Sequence, residues 1–133
     1  MKKLLLASLL ALALAVPAAS QPVLIPATTA QVPITGTIAA ATRIVTGVAG
    51  KQIYVTAVMQ IPVATSVVTY TTGTGSNCGT STANVTGAMT FAAGQTLTLG
   101  DGYGAVWVLP AGFDLCVTIA TAVAPGSLAY GIF

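Results

Sequence analysis

The sequence predicts an all-β protein, an antiparallel β-sandwich of about eight strands. Three observations carry this. The β-branched residues Thr, Val and Ile recur throughout after residue 34, with apolar residues on alternate positions. Turn residues interrupt that pattern at spacings near about 8–12 residues. No stretch past the first twenty residues combines helical periodicity with caps.

The first segment stands apart. Lys2 and Lys3 precede an apolar run from Leu4 to Val16, and Pro17 breaks it. A positive end, a short apolar stretch and small residues behind it predict a secretory signal peptide over residues 1–20. The run is shorter than the roughly 20 residues needed to span a bilayer. Val16-Pro17-Ala18 and Ala18-Ala19-Ser20 both fit small-x-small cleavage, so the mature chain is expected to start at Ala19 or Gln21. A membrane is expected as a partner only through this segment, if it is left uncleaved.

Residues 21–33 carry Pro22, Pro26 and Pro33. Proline cannot donate to a strand ladder, so these residues are expected to form an extended arm or an edge. The sandwich domain is expected over residues 34–133. Thr42–Val48 predicts a strand and Ala49–Gly50 a turn. In Lys51–Ile61, alternation puts Ile53, Val55, Ala57, Met59 and Ile61 on one face, and Tyr54, Thr56, Val58 and Gln60 on the other. Pro62 ends that strand. Ser66–Thr72 follows, with Val68 and Tyr70 on one face. Thr71–Thr82 is a Gly/Ser/Thr loop that cannot bury a core.

Short strands are expected at Thr86–Ala92, at Thr96–Leu99 with Leu97 and Leu99 inward, and at Ala105–Leu109 with Trp107. Ala93-Gly94-Gln95, Gly100–Gly104 and Pro110-Ala111-Gly112 separate them as turns. Asp114–Thr121 places Leu115, Val117 and Ile119 on one face and Cys116 on the other. Pro125-Gly126 turns into a closing strand, Ser127–Phe133. Eight strands with a long Gly-rich crossing loop suit a jelly roll.

Composition narrows function. Of 133 residues, 55% are hydrophobic and 5% charged, against roughly 25% charged in an ordinary domain. Without Lys2 and Lys3 the formal charge of +2 falls to zero, with Arg43 and Lys51 balancing Asp101 and Asp114. Nucleic acid is therefore not an expected partner, since it needs a basic patch. An uncharged surface repels its own copies little, so a homo-oligomer or a surface assembly is expected.

Catalytic patterns are sparse. Histidine is absent, so a Ser–His–Asp triad cannot form. A Ser–Lys arrangement would have to use Lys51, beside a turn. Asp101, between Gly100 and Gly102, and Asp114, two residues after Gly112, are the only acids, and both are expected at turns, where aspartate bonds nearby backbone. The other readings of the pair are a glycosidase couple, or a calcium site completed by Asn77 and Asn84. Gly73, Gly75 and Gly79 lack the register, helix and lysine of a phosphate loop. Asn84-Val85-Thr86 is a formal glycosylation sequon. No catalytic residue, cofactor or metal is expected, and the chain is not expected to be an enzyme.

Cys78 and Cys116 are the only cysteines. In an exported β domain such a pair is expected to form a disulfide. It would clasp the Gly/Ser/Thr loop to an apolar strand and stabilise the fold by about 4 kcal/mol on chain-entropy grounds. Tyr70, Tyr103 and Trp107 are candidate ligand-stacking residues for a sugar; their other reading is core or loop packing.

The order of segments also carries a resemblance. Ala49-Gly-Lys-Gln-Ile-Tyr-Val55 is followed by Gly73-Thr-Gly-Ser-Asn-Cys-Gly-Thr80, Thr86-Gly-Ala-Met89, Ala92-Ala-Gly94, Pro110-Ala-Gly112, Leu115-Cys-Val117 and Gly126-Ser-Leu-Ala-Tyr130. This resembles small all-β structural proteins of tailed phages and prophages, of the head-decoration or fibre type. The resemblance implies a jelly-roll-like sandwich, often trimeric, that acts through shape on a virion; it transfers no functional residues. The export-like N-terminus departs from that family's pattern. It widens the expectation to an exported surface or filament subunit in the periplasm, at the cell surface or outside the cell.

Overall fold

A computed structural model of the chain describes residues 30–34, 40–101, 103–122 and 124–133. The expected signal segment 1–20, with its cleavage sites, and residues 21–29 of the Pro-rich arm lie outside the described residues. Ten strands occur among the described residues. They are β1 (Ala30–Ile34), β2 (Thr42–Val45), β3 (Ile53–Gln60), β4 (Ser66–Thr74), β5 (Thr80–Asn84), β6 (Met89–Phe91), β7 (Leu97–Leu99), β8 (Trp107–Val108), β9 (Asp114–Ala120) and β10 (Gly126–Ile132).

They form two five-stranded antiparallel sheets, as a β-sandwich requires. The first runs β1-β10-β3-β7, with β8 also on β3. Strand β7 pairs with Val58–Gln60 and β8 with Tyr54–Val55, so the two share one edge of β3 in series. The second runs β2-β9-β4-β5, with β6 also on β4. There β6 takes Ser66–Val68 and β5 takes Thr71–Thr74. Residues 30–33 of the Pro-rich stretch lie in edge strand β1, so the sheet begins four residues before the expected boundary at 34. Pro33 is tolerated there because an edge strand can spare a donor.

Alternation fills the core between the sheets. Val68 and Tyr70 of β4, with Leu115, Val117 and Ile119 of β9, face Ile53, Val55 and Val58 of β3 and Leu128 of β10, all fully buried. Leu97, Leu99 and Trp107 pack at its margin.

The expected face of β3 holds only for its first half. Ile53 and Val55 point inward, but the inward residues then become Val58 and Gln60, while Met59 and Ile61 are exposed. The cause is a bulge. Ala129 lies opposite Ala57 and Tyr130 opposite Val55, which leaves Thr56 without an opposite residue. One extra residue inverts the phase of everything after it. Thr56 is buried, and its Oγ1 donates to the Ala129 carbonyl at 3.3 Å.

A second correction concerns the Gly/Ser/Thr loop. Its later part is not loop: Thr80–Asn84 is the edge strand β5, exposed at all five positions. Nothing apolar alternates there, so its sequence carries no strand pattern.

Candidate functional site

The clasp is the best-built polar site. Cys78 and Cys116 are disulfide-bonded, with a sequence separation of 38 and Cα atoms 6.3 Å apart. Cys116 alternates with Leu115 and Val117 and so faces outward from the second sheet. Its strand, β9, runs between β2 and β4, with Arg43 opposite it on one side and Thr71 on the other. A 3-10 turn, Ser76–Cys78, caps this spot and touches β2, β4 and β9. Both sulfurs are buried.

The turn sits close because the backbone permits it. A Cβ on Gly73 would come within 2.8 Å of the Cys78 carbonyl oxygen. Asn77 and Cys78 adopt positive φ, 50° and 57°. Asparagine visits that region readily, whereas cysteine is uncommon there and is held by the disulfide. Thr82 Oγ1 donates to the Cys78 carbonyl and closes the turn.

Polar side chains lock the turn to the sheet. The Arg43 backbone N–H donates to Asn77 Oδ1 at 3.2 Å. The Arg43 guanidinium donates to Asp114 Oδ2 at 3.2 Å. The Gly47 N–H donates to Asp114 Oδ1 at 2.7 Å. Thr72 Oγ1 donates to the Asp114 carbonyl at 3.0 Å. Both carboxylate oxygens of the buried Asp114 are thus engaged, so this acid is held for structure. Beside the disulfide, Thr71 Oγ1 is buried with no partner.

Asp101 does a separate local job, accepting the Tyr103 N–H at 3.0 Å. It follows β7 of the first sheet, while Asp114 opens β9 of the second. With both carboxylate oxygens of Asp114 already engaged, that acid is not free to act in a glycosidase couple. Asn77 is spent on Arg43, and Asn84 lies exposed on β5, so the two asparagines serve neither acid. Among the described residues no three of His, Cys, Asp or Glu converge. Lys51 is exposed in its turn.

The three candidate stacking residues do not share a surface. Tyr70 is fully buried, because it follows Val68 onto the inward face of β4. Its ring lies 5.0 Å from that of the half-buried Trp107, tilted by 45°. Its hydroxyl donates to Gln60 Oε1 at 2.6 Å. Burial pushes the Tyr70 phenol well above its ordinary pKa. Tyr70 cannot stack on a ligand, and Trp107 is packed against it. Tyr103 stands alone, 88% exposed in the Gly-rich turn.

Sequence reasoning missed two groups. Arg43 and Asp114 meet across 71 residues, with no local cue beyond the rarity of charge. Gln60 falls on the polar face of an uninterrupted β3, and only the bulge turns it inward. Comparison of the chain with protein-family models, curated proteins and solved structures found no match.

Proposed function

We propose that this chain is an exported, non-enzymatic structural or assembly subunit built on a jelly roll, of the virion decoration or fibre kind or a surface or filament subunit. One observation carries the reading: the clasp absorbs both cysteines and one member of each charge class. Asp114, Arg43, Asn77 and both cysteines bond one another or the backbone around them. A fold that spends its few reactive groups on pinning one loop suits a protein that acts by shape.

The wiring supports the jelly roll. With β5 and β6 counted as one interrupted strand, and β7 and β8 as another, eight strands remain. The sheets then pair first-eighth-third-sixth and second-seventh-fourth-fifth, the alternation of two Greek keys. The buried disulfide supports an oxidising compartment, and therefore export. Light scattering tests assembly: oligomers that grow with concentration are expected, and a monodisperse monomer at high concentration overturns the reading.

A carbohydrate- or host-surface-binding module is the second reading. It is favoured by the bare Tyr103 ring on a turn tip. Loss of binding to a glycan array on Tyr103→Ala, with an unchanged melting temperature, decides for it. Trp107→Ala is not an equivalent test, because it opens the core beside Tyr70.

A further inference from the structure

The first sheet has a second face, turned away from the core. Strand register fixes its residues: Ser127 lies opposite Met59, Ala129 opposite Ala57, Thr98 opposite Met59 and Val108 opposite Tyr54. None is charged, and neither are the outward residues of β1, Gln31 and Pro33. Met59, Val108 and Phe133 are exposed by 48%, 50% and 37%. The Phe133 ring lies over Gly131, where a Cβ would come within 2.5 Å of it, and meets Tyr54 edge-on at 5.7 Å. The middle of the face is therefore low and flat, with Ala57, Ala129 and Ser127 flanked by Met59 and an aromatic pair.

The charges lie elsewhere. Arg43 and Asp114 belong to the second sheet, Lys51 to the turn before β3 and Asp101 to the turn after β7. An isologous contact sets a patch against itself, so a charge near the two-fold axis meets its own kind and one away from it is desolvated unless the patch also supplies its partner. This patch carries none, and beyond Lys3 the chain has no net charge to repel a copy at a distance. A charged partner, by contrast, would find nothing on this face to pair with. Small central residues allow two such sheets to approach to the usual spacing of about 10 Å.

We propose that the outer face of β1-β10-β3-β7 is a self-association surface, on which a second copy of the chain seats the same face. The proposal rests on the assembly-subunit reading and names its contact. Strand spacing and rise give the face about 450 Å² in projection. Counted on both partners that is about 900 Å², below the size of a stable specific interface, so the pair is weak, transient and concentration-dependent.

Sedimentation velocity on the full chain over a wide concentration range tests it. The wild-type chain is expected to shift from monomer to dimer mass as concentration rises. Met59→Lys with Val108→Lys puts like charges into the contact and is expected to weaken association at least about tenfold. Thr98→Arg, an exposed substitution on the same face, is expected to do the same and serves if the double variant fails to fold. Thr90→Lys, exposed on β6 of the other sheet, is expected to leave association unchanged. If the wild-type chain associates and Thr98→Arg associates equally well, this face is not the contact, while the assembly reading stands. A wild-type chain that stays monomeric throughout overturns both.

Discussion

The Tyr70 hydroxyl donates to Gln60 Oε1 at 2.6 Å and so joins β4 of one sheet to β3 of the other through the core. Gln60 Nε2 in turn donates to the Ala124 carbonyl at 3.2 Å. Both side chains are fully buried. Tyr70→Phe keeps the ring against Trp107 but leaves Gln60 Oε1 without its donor. A buried acceptor without a partner costs about 1–3 kcal/mol, so the urea midpoint should fall accordingly. Gln60→Leu strands both the Tyr70 hydroxyl and the Ala124 carbonyl and should cost more than Tyr70→Phe. An unchanged midpoint in Tyr70→Phe would remove this bond from the account of stability.

The same hydroxyl makes stability depend on alkaline pH. Burial raises the folded-state pKa of Tyr70 above its ordinary value of 10.0. The unfolded chain therefore releases this proton first as pH rises. The contribution is fully present below pH 10 and is lost progressively above it, toward the folded pKa. Unfolding free energy measured from pH 8 to 11 should decline above 10 in the wild-type chain and decline less in Tyr70→Phe. Parallel profiles for the two proteins would show that another group governs the alkaline limb.

Much of the fold was legible wherever alternation ran unbroken. Leu115, Val117 and Ile119, and Val68 with Tyr70, declared their inward faces because each strand keeps one phase throughout. The clasp was legible because a chain with two cysteines has one pairing open to it. The second half of β3 was not, because the bulge at Thr56 belongs to the pair β3–β10 and to neither strand alone. Strand β5 was hidden for another reason: it is held by backbone bonds along β4 and buries no side chain. The polar lock on the clasp needs the tertiary fold to bring Arg43 to Asp114. Aromatic residues raised the stacking idea, yet Tyr70 shared a face with Val68, and that pairing already pointed inward.

The clasp should carry a large share of stability. Closing a loop of 38 residues is worth about 4 kcal/mol on the chain-entropy account. Cys78→Ser with Cys116→Ser should lower the denaturation midpoint by a corresponding amount. It should also open residues 76–82 to proteolysis before the core strands, since few apolar contacts hold that turn. Reduction of the wild-type chain in mild denaturant should reproduce the effect. Equal melting temperatures for oxidised and reduced protein would contradict it.

Within the polar lock, the acid should matter more than the base. Asp114→Ala strands the Gly47 N–H beside a packed backbone and leaves Arg43 without its partner. A loss of about 1–3 kcal/mol is expected for the unpaired donor. Arg43→Ala removes a guanidinium on a side chain that is 43% exposed, where ion pairs contribute up to about 1 kcal/mol. Its backbone N–H remains available to Asn77. Chemical denaturation of the two variants side by side should rank them in that order. The reverse ranking would place the main support of the turn in the ion pair.

Two glycines isolate the packing of the bulge from backbone strain. Gly50 and Gly100 share nearly the same φ, 75° and 73°. A Cβ on Gly50 would meet nothing within 4 Å. On Gly100 it would come within 2.2 Å of the Thr56 carbonyl oxygen and 2.5 Å of Val106 Cγ2. Alanine at either site takes on the left-handed penalty of roughly 1–2 kcal/mol. Gly100→Ala must in addition push the turn off the bulge, an overpacking cost of about 1–3 kcal/mol. The difference between the two variants therefore reports on contact with Thr56, with the conformational term cancelled. Gly100→Ala should melt clearly below Gly50→Ala, and amide exchange at Thr56 and Ala57 should quicken only in the former. Equal losses in both would mean that the turn after β7 does not brace the bulge.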